Sequence, residues 1–236
     1  MDSKNHPAIE PAFVLNRRPY RETSLLLEAF TARSGRIGLV ARGARRGKTP
    51  LASVLEPFRP LLLSWRGTGE LFTLTLAEAD DSARLSPTPP VKSGFYVNEL
   101  LLRLLHRHDP YPSLFENYRE VLESIRAPER EELALRVFEK RLLAAIGYGL
   151  SLDRDADSSR PVVREKRYRY QPGRGFVEQN GVSGGGMPTA QGSTLIALDR
   201  ETLQGAEQLR EAKYLMRAIL QGYLGGKPLM SRMLYR

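Results

Sequence analysis

Residues 11–80 hold five short runs of strand character, each closed by a Gly- or Pro-containing turn, and this pattern limits the fold more than any other feature. Residues 12–15 are apolar and precede a turn expected over 17–19. Residues 23–31 are rich in Leu and Phe. In 36–41, Ile37, Leu39 and Ala41 alternate with smaller or more polar neighbours, and Gly35 and Gly43 punctuate the run. Residues 58–65 follow two prolines. Gly67 and Gly69 then turn the chain into 70–79, where Phe72, Leu74 and Leu76 share one face and Thr73 and Thr75 the other. Five strands in seventy residues suit a small closed barrel, because closure removes exposed sheet edges. A five-stranded OB-fold is the leading form. An SH3-like barrel has similar strand statistics and stays open at this point.

Ser82, Ser86, Pro87, Pro89 and Pro90 mark 81–90 as a linker. Helices are expected after it. Residues 93–108 carry Leu101, Leu102, Leu104 and Leu105. Residues 113–125 place Leu114, Phe115, Tyr118, Val121, Leu122 and Ile125 at 3–4 spacing, with Ser113 and Glu116 as a capping box. Pro128 opens a third helix through Leu133, Val137, Leu142 and Ile146, ending near Gly147 and Gly149. Residues 162–163, 167–170 and 176–177 look like short strands, and 181–192 is Gly-rich, as flexible segments are. Asp199 is expected to cap a last helix through Leu203, Leu209, Leu215 and Ile219. The reading is an α+β chain: an OB-fold barrel over 1–81, then a mainly helical domain over 82–236 with an irregular, β-containing insertion at about 151–198.

Charge is segregated along this chain. Residues 30–66 carry eight Arg or Lys against Glu56 alone; 158–174 carry six against Glu165, and 210–236 carry six against Glu211. Residues 109–157 reverse the sign, with eleven acids against seven bases. Clustered positive charge in a chain of net +9 is the footprint of a polyanion partner, most often nucleic acid. The absence of cysteine excludes disulfides and thiolate zinc sites. Residues 1–10 are polar and unlike a signal peptide, and no apolar run could span a bilayer, so a soluble, intracellular protein is expected.

The closest approach to a catalytic motif fails on spacing. Gly43-Ala-Arg-Arg-Gly-Lys-Thr49 has three residues between its first Gly and Gly-Lys-Thr, where a phosphate-cradling P-loop needs four. Pro50 also biases Thr49 away from helical geometry. The same residues read better as a basic loop in which Arg42, Arg45, Arg46 and Lys48 meet phosphates. Tyr20, Phe58 and Trp65 are candidates for stacking on bases, and each is equally a candidate for the core. Arg167-Tyr-Arg-Tyr170 puts two cations on one strand face and two rings on the other, either a cationic edge over a packed aromatic face or a stacking platform. His106 and His108 point to different helical faces and make poor metal ligands. No nucleophile–base pair, metal cluster or cofactor site is expected, and neither is an enzyme.

Several stretches resemble the bacterial recombination mediator family RecO. They are Ala12-Phe-Val-Leu15, Arg18-Pro-Tyr-Arg-Glu-Thr-Ser24, Phe30-Thr31, Gly35-Arg36 and Val40-Ala-Arg-Gly-Ala-Arg45, followed by Leu55-Glu-Pro-Phe58, Pro60-Leu-Leu-Leu63 and Gly67-Thr-Gly-Glu70. Tyr96-Val-Asn-Glu-Leu100, Leu114-Phe115, Arg136-Val-Phe-Glu139, Leu142-Leu143, Gly147-Tyr-Gly149, Tyr223-Leu-Gly-Gly-Lys-Pro-Leu229 and Ser231-Arg232 continue the match. The resemblance implies an N-terminal OB-fold and a helical C-terminal domain. It implies binding of single- and double-stranded DNA, ATP-independent strand annealing, and loading of RecA on DNA coated with single-strand binding protein (SSB), together with RecR and in some bacteria RecF. It also implies capture of the acidic tail of SSB and a cytoplasmic, nucleoid-associated location. Many members carry a four-cysteine zinc module after the Gly-Tyr-Gly stretch; residues 153–175 have no Cys, so the chain resembles the metal-free branch typical of gammaproteobacteria. On these grounds Arg17, Arg18, Arg42, Arg45, Arg46 and Lys48 are the expected DNA contacts. Arg66, Lys227 and Arg232 rank second, and Arg136 is the expected partner of the SSB tail unless it pairs with Glu132 or Glu139.

Overall fold

The computed structural model describes residues 8–46, 51–80, 90–179, 186–225 and 228–231. Five strands come first: β1 (Glu10–Tyr20), β2 (Ser24–Thr31), β3 (Gly35–Ala41), β4 (Leu61–Arg66) and β5 (Leu71–Ala79). They close in the order β1-β2-β3-β5-β4, with β4 returning to β1 through Glu10↔Leu63. The β3–β5 pair is parallel and the others antiparallel. This is the five-stranded OB-fold barrel that the alternation predicts. Val14, Leu27, Leu39, Leu61 and Leu63 fill its interior, each fully buried. A buried Leu is worth ~2 kcal/mol over an exposed one, so a one-residue slip of β2 would forfeit several such contributions.

Two details differ from expectation. Residues 17–19 do not turn; they extend β1 to eleven residues, pairing Arg17↔Leu27, Arg18↔Leu26 and Pro19↔Leu25. Polarity there reflects an outward face, and a proline near a strand end removes only one ladder bond. The turn comes at 21–23, with Arg21 in the left-handed region at φ 51°. On β5, a bulge opposite Ser64 and Trp65 leaves Thr75 as an extra residue. The inward positions therefore step from Phe72 and Leu74 to Ala77, and Leu76 leaves the face assigned to it.

The described residues divide into two compact units: one holds the chain through Arg126 together with Met230 and Ser231, the other is Ala127–Leu229. In the first unit the barrel is joined by α1 (Val91–Leu104) and α2 (Pro112–Ser124). Residues 81–89, most of the expected linker, lie outside the described residues. Phe13 and Phe30 point outward from the barrel and meet α2, with ring centroids 5.0 Å (Phe13–Tyr118) and 5.5 Å (Phe30–Phe115) apart. The buried Tyr118 hydroxyl donates to Asn98 Oδ1 at 2.7 Å, and Asn98 Nδ2 donates to the Leu15 carbonyl at 2.8 Å, so these polar groups are satisfied. The Ser113–Glu116 capping box does not form: Pro112 takes the first helical position after Tyr111, a place its fixed φ suits.

The second unit contains α3 (Pro128–Ala145), a small sheet ordered β7-β6-β8, then α4 (Gly192–Asp199) and α5 (Gly205–Tyr223). The strands are β6 (Arg167–Gln171), β7 (Gly175–Glu178) and β8 (Thr189–Gln191). Pro128 opens α3 as expected, but Leu135, Phe138, Leu142 and Leu143 form its buried face while Leu133 and Val137 are half-buried. Residues 162–163 form no strand. In the Gly-rich stretch, residues 180–185 lie outside the described residues, whereas Thr189–Gln191 pairs with β6 and Gly192 starts α4. Gly192 is required there, because a Cβ would lie 1.9 Å from the Val163 carbonyl oxygen. Asp199 ends α4 instead of capping the next helix, and α5 begins after Gln204.

Candidate nucleic-acid interface

Register places a row of outward residues across the barrel: Arg18↔Leu26, Leu26↔Val40, Val40↔Thr73 and Thr73↔Arg66. Partners in register share a face, and their neighbours Leu25, Leu27, Leu39 and Ala41 point into the core. Arg18 and Arg66 at the two ends are exposed, while Leu26, Val40 and Thr73 between them are half-buried. Four strand steps of ~4.8 Å put the ends roughly 19 Å apart along the barrel surface. A strip with cations at both ends and apolar or hydroxyl groups between suits a polyanion whose bases or sugars lie against it.

The basic loop after β3 joins this strip. Residues 42–45 form a turn with Gly43 at φ 66°. Arg45 ties it to the β1–β2 hairpin: its N–H donates to the Thr23 carbonyl at 2.9 Å, and its Nη2 donates to the carbonyls of Arg21, at 2.8 Å, and Glu22. Arg42 and Arg46 are exposed, and neither forms an ion pair among the described residues. Arg21 was not among the expected contacts, yet it is exposed beside them with its guanidinium 5.2 Å from the Tyr20 ring centroid. Its place in the hairpin turn was the available signal. Lys48, Lys227 and Arg232 lie outside the described residues, as do Thr49 and Pro50; the chain beyond them makes only a single 3-10 turn, Leu51–Ser53.

Arg17 is used differently. Its Nη1 donates to the Ala52 carbonyl at 2.6 Å and its Nη2 pairs with Glu56 at 2.5 Å, so it clamps the segment before β4. Glu28, the acid on the neighbouring outward row, is held by Arg107 and lies 3.7 Å from Arg36. Glu56 and Glu28 are thus neutralised by Arg17 and Arg107, the exposed Glu22 of the hairpin turn has no ion pair among the described residues, and Arg18, Arg42, Arg46 and Arg66 form none there either. Of the stacking candidates, Phe58 is buried against Phe95 at 5.1 Å, Trp65 packs on the barrel core, and Tyr20 is half-buried under Arg21.

In the second unit several arginines are paired internally. Arg136 is 4% exposed and pairs with Glu139 at 2.6 Å, with Glu132 at 3.9 Å. The expectation that it faces a ligand carboxylate gives way to the intrahelical pairing, because positions three and four apart on α3 bring the acids to it. Tyr168 and Tyr170 are buried, so the Arg-Tyr-Arg-Tyr strand is a cationic edge over a packed aromatic face; Arg167 pairs with Glu211 at 2.9 Å. Asp155 is 4% exposed and organises the stretch where a zinc module was considered. It accepts from the backbone N–H of Asp157 (3.0 Å), Ser158 (2.7 Å) and Glu178 (2.6 Å), and from the Ser158 hydroxyl at 2.8 Å. Among the described residues no group of three or more His, Cys, Asp or Glu could hold a metal, and no helix is long and apolar enough to cross a membrane. His108 packs edge-on to Phe72 instead of facing a ligand.

Family models agree with this architecture over nearly the whole chain. The one described as "Recombination protein O N terminal" matches residues 7–83, and "Recombination protein O C terminal" matches residues 93–233. The chain belongs to the RecO family. Its relatives include the DNA repair protein RecO of Methylococcus capsulatus, 48% identical over 229 residues covering 97% of this chain and 93% of that protein. Those of Nitrosococcus oceani, 47% identical (95% and 91% covered), and Coxiella burnetii, 43% identical (95% and 96%), bear the same description. Membership carries a role in DNA repair and recombination, and places the barrel strip described above in the N-terminal RecO region.

Proposed function

We propose that this RecO-family chain binds single- and double-stranded DNA through the outward barrel strip and anneals complementary strands without ATP. In this reading it also helps load RecA onto SSB-coated DNA together with RecR, possession of RecF varying between bacteria, in the cytoplasm at the nucleoid. The observation that carries the reading is the set of exposed arginines without ion-pair partners among the described residues, Arg18, Arg42, Arg46 and Arg66, across and beside one face of an OB barrel. Lys48, Lys227 and Arg232 extend the proposed contact set. Annealing breaks and forms no covalent bond, so the chain needs no catalytic group for it; it needs phosphates neutralised so that two strands can approach. Arg45 contributes charge while bracing the hairpin, and Arg17 supports the strip from its clamp.

Capture of the SSB tail is assigned to the second unit. Arg136 supports that surface from within α3 through Glu139, and a tail carboxylate would have to displace Glu139 to reach it directly.

The deciding experiment is annealing of complementary strands precoated with cognate SSB, in EDTA and without ATP. Rapid annealing that is lost when the SSB tail is deleted supports a mediator that works without metal or nucleotide. DNA binding without annealing, or equal affinity for RNA and DNA oligomers of the same length, would overturn it in favour of a general nucleic-acid module.

A further inference from the structure

A cleft of about 250 Å³ lies in the second unit, and Arg136 is not among its lining residues. One wall is a face of α4: Ser193, Ile196, Ala197 and Arg200 recur at helical spacing. Arg164 forms the opposite side, in the turn before β6, and that turn is fixed to the start of α4. The Ser193 N–H donates to the Arg164 carbonyl at 3.0 Å, and the Gly192 N–H donates to the Lys166 carbonyl at 2.7 Å. Thr202, Gln204 and Gln208 close the cleft at the start of α5. There the Gln204 N–H donates to Gln208 Oε1 at 3.0 Å, which leaves the Gln208 amide hydrogens free to donate elsewhere.

The lining is unusual in its charge. Among the described residues it contains two arginines and four neutral side chains able to donate hydrogen bonds, and no acid. Neither Arg164 nor Arg200 forms an ion pair among the described residues, whereas Arg136, Arg141, Arg167 and Arg174 each do. Of the two acids flanking Arg200, Glu201 pairs with Arg141 at 2.6 Å and Lys140 at 2.9 Å, and Asp199 does not line the cleft. Two guanidinium forks and several hydroxyl and amide donors around a small hollow match a tetrahedral oxyanion, whose oxygens can be met from several sides.

We propose that this cleft is a phosphate-binding site, engaged either by a phosphate of a bound nucleic-acid strand or by free phosphate. Ser193, Thr202 and Gln208 select a phosphate's several oxygens over a single carboxylate.

The test uses the full chain, the double variant R164Q/R200Q, and the barrel variant R18A/R42A/R46A. Titration calorimetry at low ionic strength measures inorganic phosphate, with acetate as the competing anion. Gln keeps donors in place while removing both charges, and thermal melting verifies that the variant is folded. Wild type and the barrel variant are expected to bind phosphate alike, and R164Q/R200Q to bind it roughly 100-fold more weakly, about tenfold per lost charged contact. The salt dependence of single-stranded DNA binding then identifies the source. A slope shallower by about 0.7 in R164Q/R200Q, the one phosphate that the cleft holds, assigns a strand phosphate; an unchanged slope assigns free phosphate. No phosphate binding by wild type, undiminished binding by R164Q/R200Q, or acetate binding as tight as phosphate overturns the proposal. Because the barrel variant keeps the cleft, failure of the barrel reading is seen separately.

Discussion

The barrel and the second unit differ in where their arginines are placed. On the barrel, Arg18, Arg42, Arg46 and Arg66 face solvent without ion-pair partners among the described residues, while the acids Glu28 and Glu56 are held by Arg107 and Arg17. In the second unit Arg136, Arg141, Arg167 and Arg174 each hold a carboxylate: Glu139, Glu201, Glu211 and Asp157. Both regions look basic in a count of residues. The second unit also exposes arginines without an ion pair among the described residues, Arg164 and Arg200 among them, but the barrel aligns Arg18 and Arg66 in one register row beside the loop of Arg42 and Arg46, and that alignment decides where a polyanion is expected to sit.

The sharpest way to break this comparison is at Arg136. If its charge serves the fold, Arg136→Ala removes the cation paired with the buried Glu139 and costs the second unit ~3–5 kcal/mol in urea unfolding. Replacing both partners together, Arg136→Met with Glu139→Leu, is expected to cost far less. A single variant that unfolds like wild type would mean the pair is dispensable and the arginine free for a ligand.

A smaller loss is expected at Asp155. Asp155→Ala leaves three backbone N–H groups without their acceptor and should cost ~2 kcal/mol, with the change confined to the second unit. Addition of zinc or EDTA should leave both proteins unchanged. Recovery of the variant by zinc would show a metal contribution that the carboxylate clasp does not supply.

Acid should weaken the second unit more gradually. Burial opposes the charge of Asp155, but bonds from Ser158 and Glu178 outweigh it, and its pKa is lowered. Glu201 is lowered chiefly by the Arg141 hydrogen bond, with Lys140 adding to it. A carboxyl lowered in the folded state stabilises fully above its unfolded pKa, near ~4, and loses that contribution as pH falls through the folded value. Urea midpoints should hold from neutral pH down to the ordinary carboxylate range and fall below it. The fall should be smaller in Asp155→Asn.

The barrel was legible because its signal is local. Alternation in residues 36–41 and 70–79, together with apolar runs closed by Gly- or Pro-containing turns, predicts five strands before any pairing is known. Its errors were also local: Arg17 to Pro19 looked like a turn because outward strand residues and turn residues share polarity. The candidate site was legible in part. Arg18, Arg42, Arg46 and Arg66 could be singled out by charge, but the register that aligns Arg18 with Arg66 joins residues 48 apart and belongs to the closed barrel. In the second unit the decisive contacts are remote. Arg167 meets Glu211 and Arg141 meets Glu201, separations of 44 and 60 residues that no periodicity encodes. Strand β8 was hidden for a similar reason, since Thr189 to Gln191 become a strand only by pairing with β6.

The most direct measurement of the central claim is the salt dependence of single-stranded DNA affinity for two triple variants. One removes unpaired barrel charge, R18A/R42A/R46A; the other removes paired charge of the second unit, R141A/R167A/R174A. The account predicts a log–log slope shallower by about 2 for the barrel variant, three phosphate contacts at ~0.7 each, and no change for the other. An unchanged slope in the barrel variant, or a loss of equal size in the second, would contradict it.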